Sequence, residues 1–562
     1  MSVANITAPG VSLSSLLRPL VLHPWLLALL LFSALLAIPV ACIVFSILAD
    51  SGDVWAHLAS TVLVSYVTNS LIIVAGVCAL TLVLGTGPAW LITMYEFPGH
   101  RQLSWALLLP MAMPAYIIAY TYTGMLDVAG PLQSWLRELF GWRYGDYWFP
   151  EIRSVGGAIA MLSLVLYPYV YLLSRAAFLE QSLCVLEVSR SLGCKAYQSF
   201  FRVALPLARP AIIAGLSLVM METLADYGTV QYFGVSTFTT GIFRTWFGLG
   251  SSIAAAQLAA VLLGFVMLLI LLEAWSRRQA RYHHTSGRYS SLVQQPLRGW
   301  RRYLASSVCL FPLLLGFILP AAQLAHWAWQ TWSDVVDRDF YVLLLNSIEL
   351  AAIASSLALV LALFVCYARR IVPGALTRGI SRVLGTGYAI PGTVIAVGVL
   401  IPFAWLDNAI DGWMRLHMDR STGLLFSGTL FALVFAYLVR FLPVSINTID
   451  AGLQKIRPSM DEAGRSMGAS ARHVLTRIHV PMLRGTLATA LLMVFVDVLK
   501  ELPATLILRP FNFNTLAIRT YELANEERLA DAASPALAIV IVGIIPVIIL
   551  SRSIARSRPG ND

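Results

Sequence analysis

Glu462-Ala463-Gly464-Arg465-Ser466-Met467-Gly468 runs on to Val480-Pro481, and Glu187-Val188-Ser189-Arg190-Ser191-Leu192-Gly193 runs on to Leu205-Pro206. The two stretches lie 275 residues apart and match position by position. Arg190 pairs with Arg465, Arg202 with Arg477, Pro206 with Pro481 and Arg209 with Arg484. In each copy the proline falls thirteen residues after the glycine. One copy alone reads as a solvated amphipathic loop. Two copies agreeing at three arginines, a glycine and a proline read as a docking surface that engages a partner twice. Gly193 and Gly468 suit a turn between two short helices. Pro206 and Pro481 suit the start of the next apolar helix. Glu187 and Glu462 are placed to meet a basic partner surface.

Around these blocks the chain is apolar. Of its 562 residues 58% are hydrophobic and only 12% are charged. A soluble protein would carry about 25% charged residues, so this is an integral membrane protein. The six cysteines form no C-x-x-C pair and lie mostly in apolar runs, which suggests neither a disulfide framework nor a metal site. No G-x-x-x-x-G-K-[ST] phosphate loop occurs, so an ATP-dependent process would need a separate subunit. The chain itself is expected to bind no cofactor and to be no enzyme.

A helix needs roughly 20 apolar residues to cross the hydrocarbon core. About twelve runs qualify. They lie near 25–48, 62–93, 104–124, 155–175, 208–225 and 254–274, then near 303–325, 342–367, 383–405, 424–446, 484–505 and 535–552. The first is too long for a signal h-region and reads as a retained span. The second overshoots the membrane or bends near Gly85-Thr86-Gly87. Arginines mark the cytoplasmic side: Arg277, Arg278, Arg281 and Arg288, then Arg369, Arg370, Arg378 and Arg382, then Arg552, Arg556 and Arg558. The opposite loops carry Asp50, Asp53, Asp334, Asp337, Asp339, Asp407, Asp411 and Asp419. Both termini are then cytoplasmic, and the net charge of +10 is topological, with no nucleic-acid partner required. Arg137, Arg143 and Arg153 run against the trend. The aromatic loop of Trp135, Trp142, Tyr144, Tyr147 and Trp148 reads as an interfacial belt. His283 and His284 read as part of a solvated linker.

The halves correspond beyond the block. Asn69-Ser70 matches Asn346-Ser347, Pro114 matches Pro391, and Arg244-Thr245 matches Arg519-Thr520. An even number of spans per half gives a parallel duplication and a central pathway between the halves. The expected division is a first repeat over 1–274, a cytoplasmic linker over 275–300 and a second repeat over 301–562. The blocks occupy about 180–209 and 450–484.

Just past each block comes a pair of acids. Glu222 and Asp226 correspond to Asp497 and Glu501, with Tyr227 and Lys500 beside them. The i, i+4 spacing would put each pair on one helix face. Acids in a membrane usually face a bundle interior or wet cavity. Four carboxylates on two related helices would form an acidic mouth suited to a hard cation. The alternative is that Lys500 pairs with a neighbouring acid and the others are solvated at helix ends.

The pattern E-x-x-R-x-(hydrophobic)-G, a gap, then (hydrophobic)-P resembles the coupling loop of type I ABC importer permeases, and the resemblance covers nearly the whole chain. Where the family often has Glu-Ala-Ala, this chain has Glu187-Val188-Ser189 and Glu462-Ala463-Gly464. Leu224-Ala225-Asp226-Tyr227-Gly228-Thr229, Lys500-Glu501-Leu502-Pro503-Ala504-Thr505 and Thr515-Leu516-Ala517 to Tyr521-Glu522-Leu523-Ala524 resemble the fused permeases of ferric-iron importers. Thiamine and aminoalkylphosphonate importers have similar fused permeases.

The resemblance implies an all-α integral membrane fold of two parallel six-helix repeats in the bacterial inner membrane. It also implies alternating access, a periplasmic binding protein, and a cytoplasmic ATPase homodimer that carries ATP and Mg. Coupling would fall to Glu187, Arg190, Gly193, Pro206, Glu462, Arg465, Gly468 and Pro481. Transient ferric contact would fall to Glu222, Asp226, Asp497 and Glu501. A secondary transporter driven by an ion gradient would also have twelve spans but would not need two docking blocks. A non-transporting scaffold would not need the paired acids.

Overall fold

The computed structural model describes residues 24–180, 196–278 and 294–556. Twelve helices in chain order carry the bundle. In the first half they are α1 (Pro24–Phe45), α2 (Leu63–Met94), α3 (Ala115–Leu126), α4 (Val155–Glu180), α5 (Leu205–Ala225) and α6 (Ser252–Arg278). In the second they are α7 (Trp300–Val335), α8 (Arg338–Ile371), α9 (Gly392–Met418), α10 (Leu430–Leu453), α11 (Val480–Leu499) and α12 (Ala533–Arg556). Among the described residues ten helices are long and apolar enough to cross a membrane. An eleventh crossing is the bent pair His100–Ala112 and Ala115–Phe140, whose parts meet at 93°. The twelfth expected run, near 535–552, falls on α12, a helix of 24 residues.

The third expected span, near 104–124, is therefore not straight. Met113 is extended (φ −93°, ψ 114°) because the proline after it disfavours helical backbone, and Pro114 then caps α3. The same device precedes α9, with Ile390 at φ −81°, ψ 124° before Pro391. The second run overshoots rather than bends: α2 is continuous over 32 residues, about 48 Å against a core of about 30 Å.

Pro206 and Pro481 do not start their helices. Helix is already present from Ala196 and Ala471, and a π-turn precedes each proline, at Phe200–Ala204 and Leu475–His479. Pro320 in α7 follows a third, at Leu314–Ile318. A proline inside a helix removes a donor and crowds the carbonyl one turn back. The wider turn relieves both, so these prolines sit inside continuous helices. The carbonyl of Leu315, one of those loosened groups, accepts from Tyr122 Oη of α3 at 2.7 Å.

The halves also exchange their first helices. Helix α1 packs on α8 and α9: Trp25 stacks on Phe364 with centroids 5.4 Å apart, and Gly398 lets the Pro39 carbonyl come within 2.5 Å of where a Cβ would stand. Helix α7 packs on the first half, with Gly316 against the Leu164 carbonyl. The chain reaches it along a two-residue parallel bridge, Tyr95–Glu96 with Gln295–Pro296, and Gln294 Nε2 donates to the Ile92 carbonyl at 2.8 Å. Packing thus crosses the expected linker over 275–300, and the main core cluster includes residues from both sides of it.

Candidate functional site

The acid pairs lie where two helices break. α5 ends at Ala225, and Asp226 is extended (φ −66°, ψ 132°). α11 ends at Leu499, with Lys500 as its cap and Glu501 beyond. The expected common helix face therefore does not exist, because each break separates the two members of a pair. The far member serves the short helix that follows. Asp226 Oδ2 accepts from Val230 N at 3.1 Å and Oδ1 from Thr229 Oγ1 at 3.0 Å, holding Gly228–Tyr232. Glu501 Oε1 accepts from Ala504 N at 3.2 Å, holding Pro503–Leu508.

All six residues expected here line one cavity of about 110 Å³ between the halves. Its cations are Lys500 and Arg440. Lys500 Nζ is 2.8 Å from Asp497. Arg440, on α10, donates from Nη1 to Glu501 at 2.9 Å, with both side chains buried. Gly392 makes room for this pair: a Cβ there would stand 2.2 Å from Arg440 Nη1 and 2.4 Å from Glu501 Oε1. Four carboxylates against two cations leave the lining formally at −2, and Glu222 and Asp226 have no ion-pair partner in it. The expected pairing of Lys500 with a neighbouring acid is present, and the expected mouth is half neutralised. Among the described residues no group of three or more His, Cys, Asp or Glu side chains is arranged to hold a metal ion.

On the block side the cavity adjoins a wider one of about 570 Å³, and the two share Met111, Tyr169, Tyr388, Asp497 and Lys500. On the other side it is closed across the halves. Gly228 packs between Tyr116 and Leu502, Tyr521 Oη donates to Tyr227 Oη at 3.4 Å, and Tyr227 stacks on Phe243 at 3.8 Å. Further out, Arg153 of the first half donates to Glu527 of the second at 2.8 and 3.0 Å. Arg137 is held by the Val128 carbonyl, Ser134 and Tyr147. These local partners account for two of the three arginines that break the charge trend.

Sequence reasoning passed over Arg440. One signal was there: a lone arginine within the apolar run 424–446 must find a partner.

Of the repeated block, Glu187, Arg190 and Gly193 lie outside the described residues, as do His283 and His284. The second copy is complete. Ser459–Ser466 is a helix, Gly468 at φ +82° makes the turn, and Ser470 caps the helix beyond it by accepting from His473 N. Gly464 faces inward towards Val474 and Ile478. Glu462, Arg465 and Met467 are exposed.

A repeated polar block, a broken helix after it in each half, and a central cavity between parallel halves all describe a transport pathway. The family described as binding-protein-dependent transport system inner membrane component matches twice, over residues 82–281 and 354–559. The chain belongs to that family. It is accordingly a multi-pass inner-membrane permease component and not an enzyme. This permease is 26% identical to the Fe(3+)-transport system permease protein FbpB 2 of Haemophilus influenzae, over 86% of its own chain and 89% of the relative. It is 24% identical to the putative ferric transport system permease protein FbpB 1 of the same organism, over 85% and 76%. A shorter relative, the molybdenum transport system permease protein ModB of Escherichia coli, is 24% identical over 34% of this chain and 84% of its own.

Proposed function

We propose that this permease carries ferric iron, delivered by a periplasmic binding protein, into the cytoplasm by alternating access. The observation that carries the substrate is the end-to-end likeness to a relative named for Fe(3+) transport, spanning both halves. The formal −2 of the central lining supports it, since a net negative cavity favours a cation. Glu222 and Asp226, which have no basic partner among the described residues, are the first contacts for the ion. Asp497 and Glu501 contribute through their pairs with Lys500 and Arg440, and Tyr227 belongs to the gate. The wide cavity on the block side and the tyrosine contacts closed on the other support an inward-facing state.

The blocks face the cytoplasm, as do both termini, and receive an ATPase homodimer that binds ATP and Mg. Glu187, Arg190, Gly193 and Pro206 in one copy, and Glu462, Arg465, Gly468 and Pro481 in the other, form the coupling surface. The repeats divide at a linker over 275–300. Arg440 and Lys500 favour a second reading, an anionic cargo, but both are already paired with carboxylates.

The test is ATP hydrolysis by the reconstituted complex with binding proteins loaded with ferric iron, thiamine, an aminophosphonate or molybdate. Stimulation by the iron-loaded protein alone is expected. Stimulation by another cargo discards iron and keeps the importer. Absence of any associated ATPase returns the reading to a secondary transporter. Glu462→Arg should hydrolyse ATP without transport while still inserting; normal uptake would discard the coupling role.

A further inference from the structure

One carboxylate fastens the second block to the bundle. Asp461 lies in the first turn of the Ser459–Ser466 helix, beside the exposed Glu462. Its Oδ2 accepts from Arg370 Nε at 2.5 Å. Its Oδ1 is hydrogen-bonded to His479 Nε2, which must carry the hydrogen because an ionised carboxylate only accepts. Arg370 stands in the last turn of α8. Its other nitrogens donate to the carbonyls of Leu453 at 2.9 Å and Ile456 at 3.0 Å, where the chain leaves α10. His479 is fully buried in the π-turn that leads into α11. Its ring lies 5.6 Å from that of Tyr367, whose hydroxyl donates to the Ala471 carbonyl at 2.7 Å. Asp461 thus joins α8 to the helix leading into α11 directly, and reaches the end of α10 through Arg370.

The first copy has different chemistry at every matching position. At the 275-residue offset of the blocks, Leu186 stands for Asp461 and Ala204 for His479. At the 277-residue offset that relates Asn69 to Asn346, Thr93 stands for Arg370. Thr93 uses its hydroxyl on the Ala89 carbonyl of its own helix at 2.7 Å. None of the three side chains carries a charge.

We infer that Asp461, held by Arg370 and His479, is the strut that passes displacement of the second block to α8, α10 and α11, and that Leu186, at the place of Asp461 in the first copy, cannot form the same ion pairs. Charge-assisted bonds from a planar guanidinium are short and directional, and in a low-dielectric surround they resist shear that apolar contacts allow. Asp461 is a positioning residue. It meets no cargo and no nucleotide, and the inference rests on the coupling reading above.

The test measures ATP hydrolysed per cargo ion imported by the reconstituted complex with iron-loaded binding protein. Asp461→Asn and His479→Ala should each raise that ratio about tenfold, an ordinary size for a coupling between sites, while hydrolysis continues. Asp461→Glu, which keeps the charge and both acceptors, should return it most of the way. Thr93→Ala should leave it unchanged. If Asp461→Asn does not assemble, His479→Ala and Arg370→Lys decide. A wild-type ratio in those variants, with Glu462→Arg still uncoupled, overturns the strut and leaves the coupling role intact. Normal transport by Glu462→Arg as well overturns both.

Discussion

The two helix breaks that line the central cavity are built alike and charged differently. In the first half Asp226 rests on a threonine hydroxyl and a backbone amide. In the second, Glu501 takes one amide and the full charge of Arg440. The positions 275 residues back from Arg440 and Lys500 are Val165 and Ala225, so both cations belong to the second half alone. Duplication supplied one geometry twice. The counter-charges stand in the second half, and the acids of the first have no ion-pair partner among the described residues.

This contrast can be broken at the ion pair. Arg440→Ala leaves Glu501 buried and unpaired and should cost about 3–5 kcal/mol, read as a loss of thermal stability in detergent. Arg440→Val with Glu501→Gln, which removes both charges from the second break, should recover most of that loss. Equal damage from the single and double variants would mean that the cost comes from packing and not charge.

A smaller effect sharpens the division of labour. Glu222→Gln should lower iron uptake about tenfold, equivalent to about 1.4 kcal/mol. Asp497→Asn at the matching position should do less, because Lys500 already offsets that carboxylate. Equal losses in an uptake assay would remove the asymmetry. The smallest effect is expected on the outer face. Arg153→Ala removes a pair with a side-chain exposure of 34% on one partner and 60% on the other, so stability should fall by less than about 1 kcal/mol.

Much of this was legible in the chain. Asn69 and Asn346, which correspond in the sequence, make the same bond in the two halves, from Nδ2 to the carbonyls of Ser236 at 2.9 Å and Asn514 at 3.3 Å. Gly468 makes its turn with positive φ. Other features were not legible, for physical reasons. An i, i+4 spacing is the same in numbers whether the helix continues or breaks between its members, so Glu222 and Asp226 read as one face. A proline near a polar block looks like a helix start, and nothing local announces a π-turn before it. Arg440 finds its partner 61 residues away, beyond any window of periodicity.

The exchanged first helices set an order of events during synthesis. Pro39 of α1 meets Gly398 of α9, and the ribosome must add 359 residues between them. At ordinary elongation rates that takes on the order of half a minute. During that interval α1 stands in the lipid with the face meant for α9 uncovered. The first half is thus released into the bilayer incomplete, and it becomes a finished unit only when the second half arrives to take up its arm.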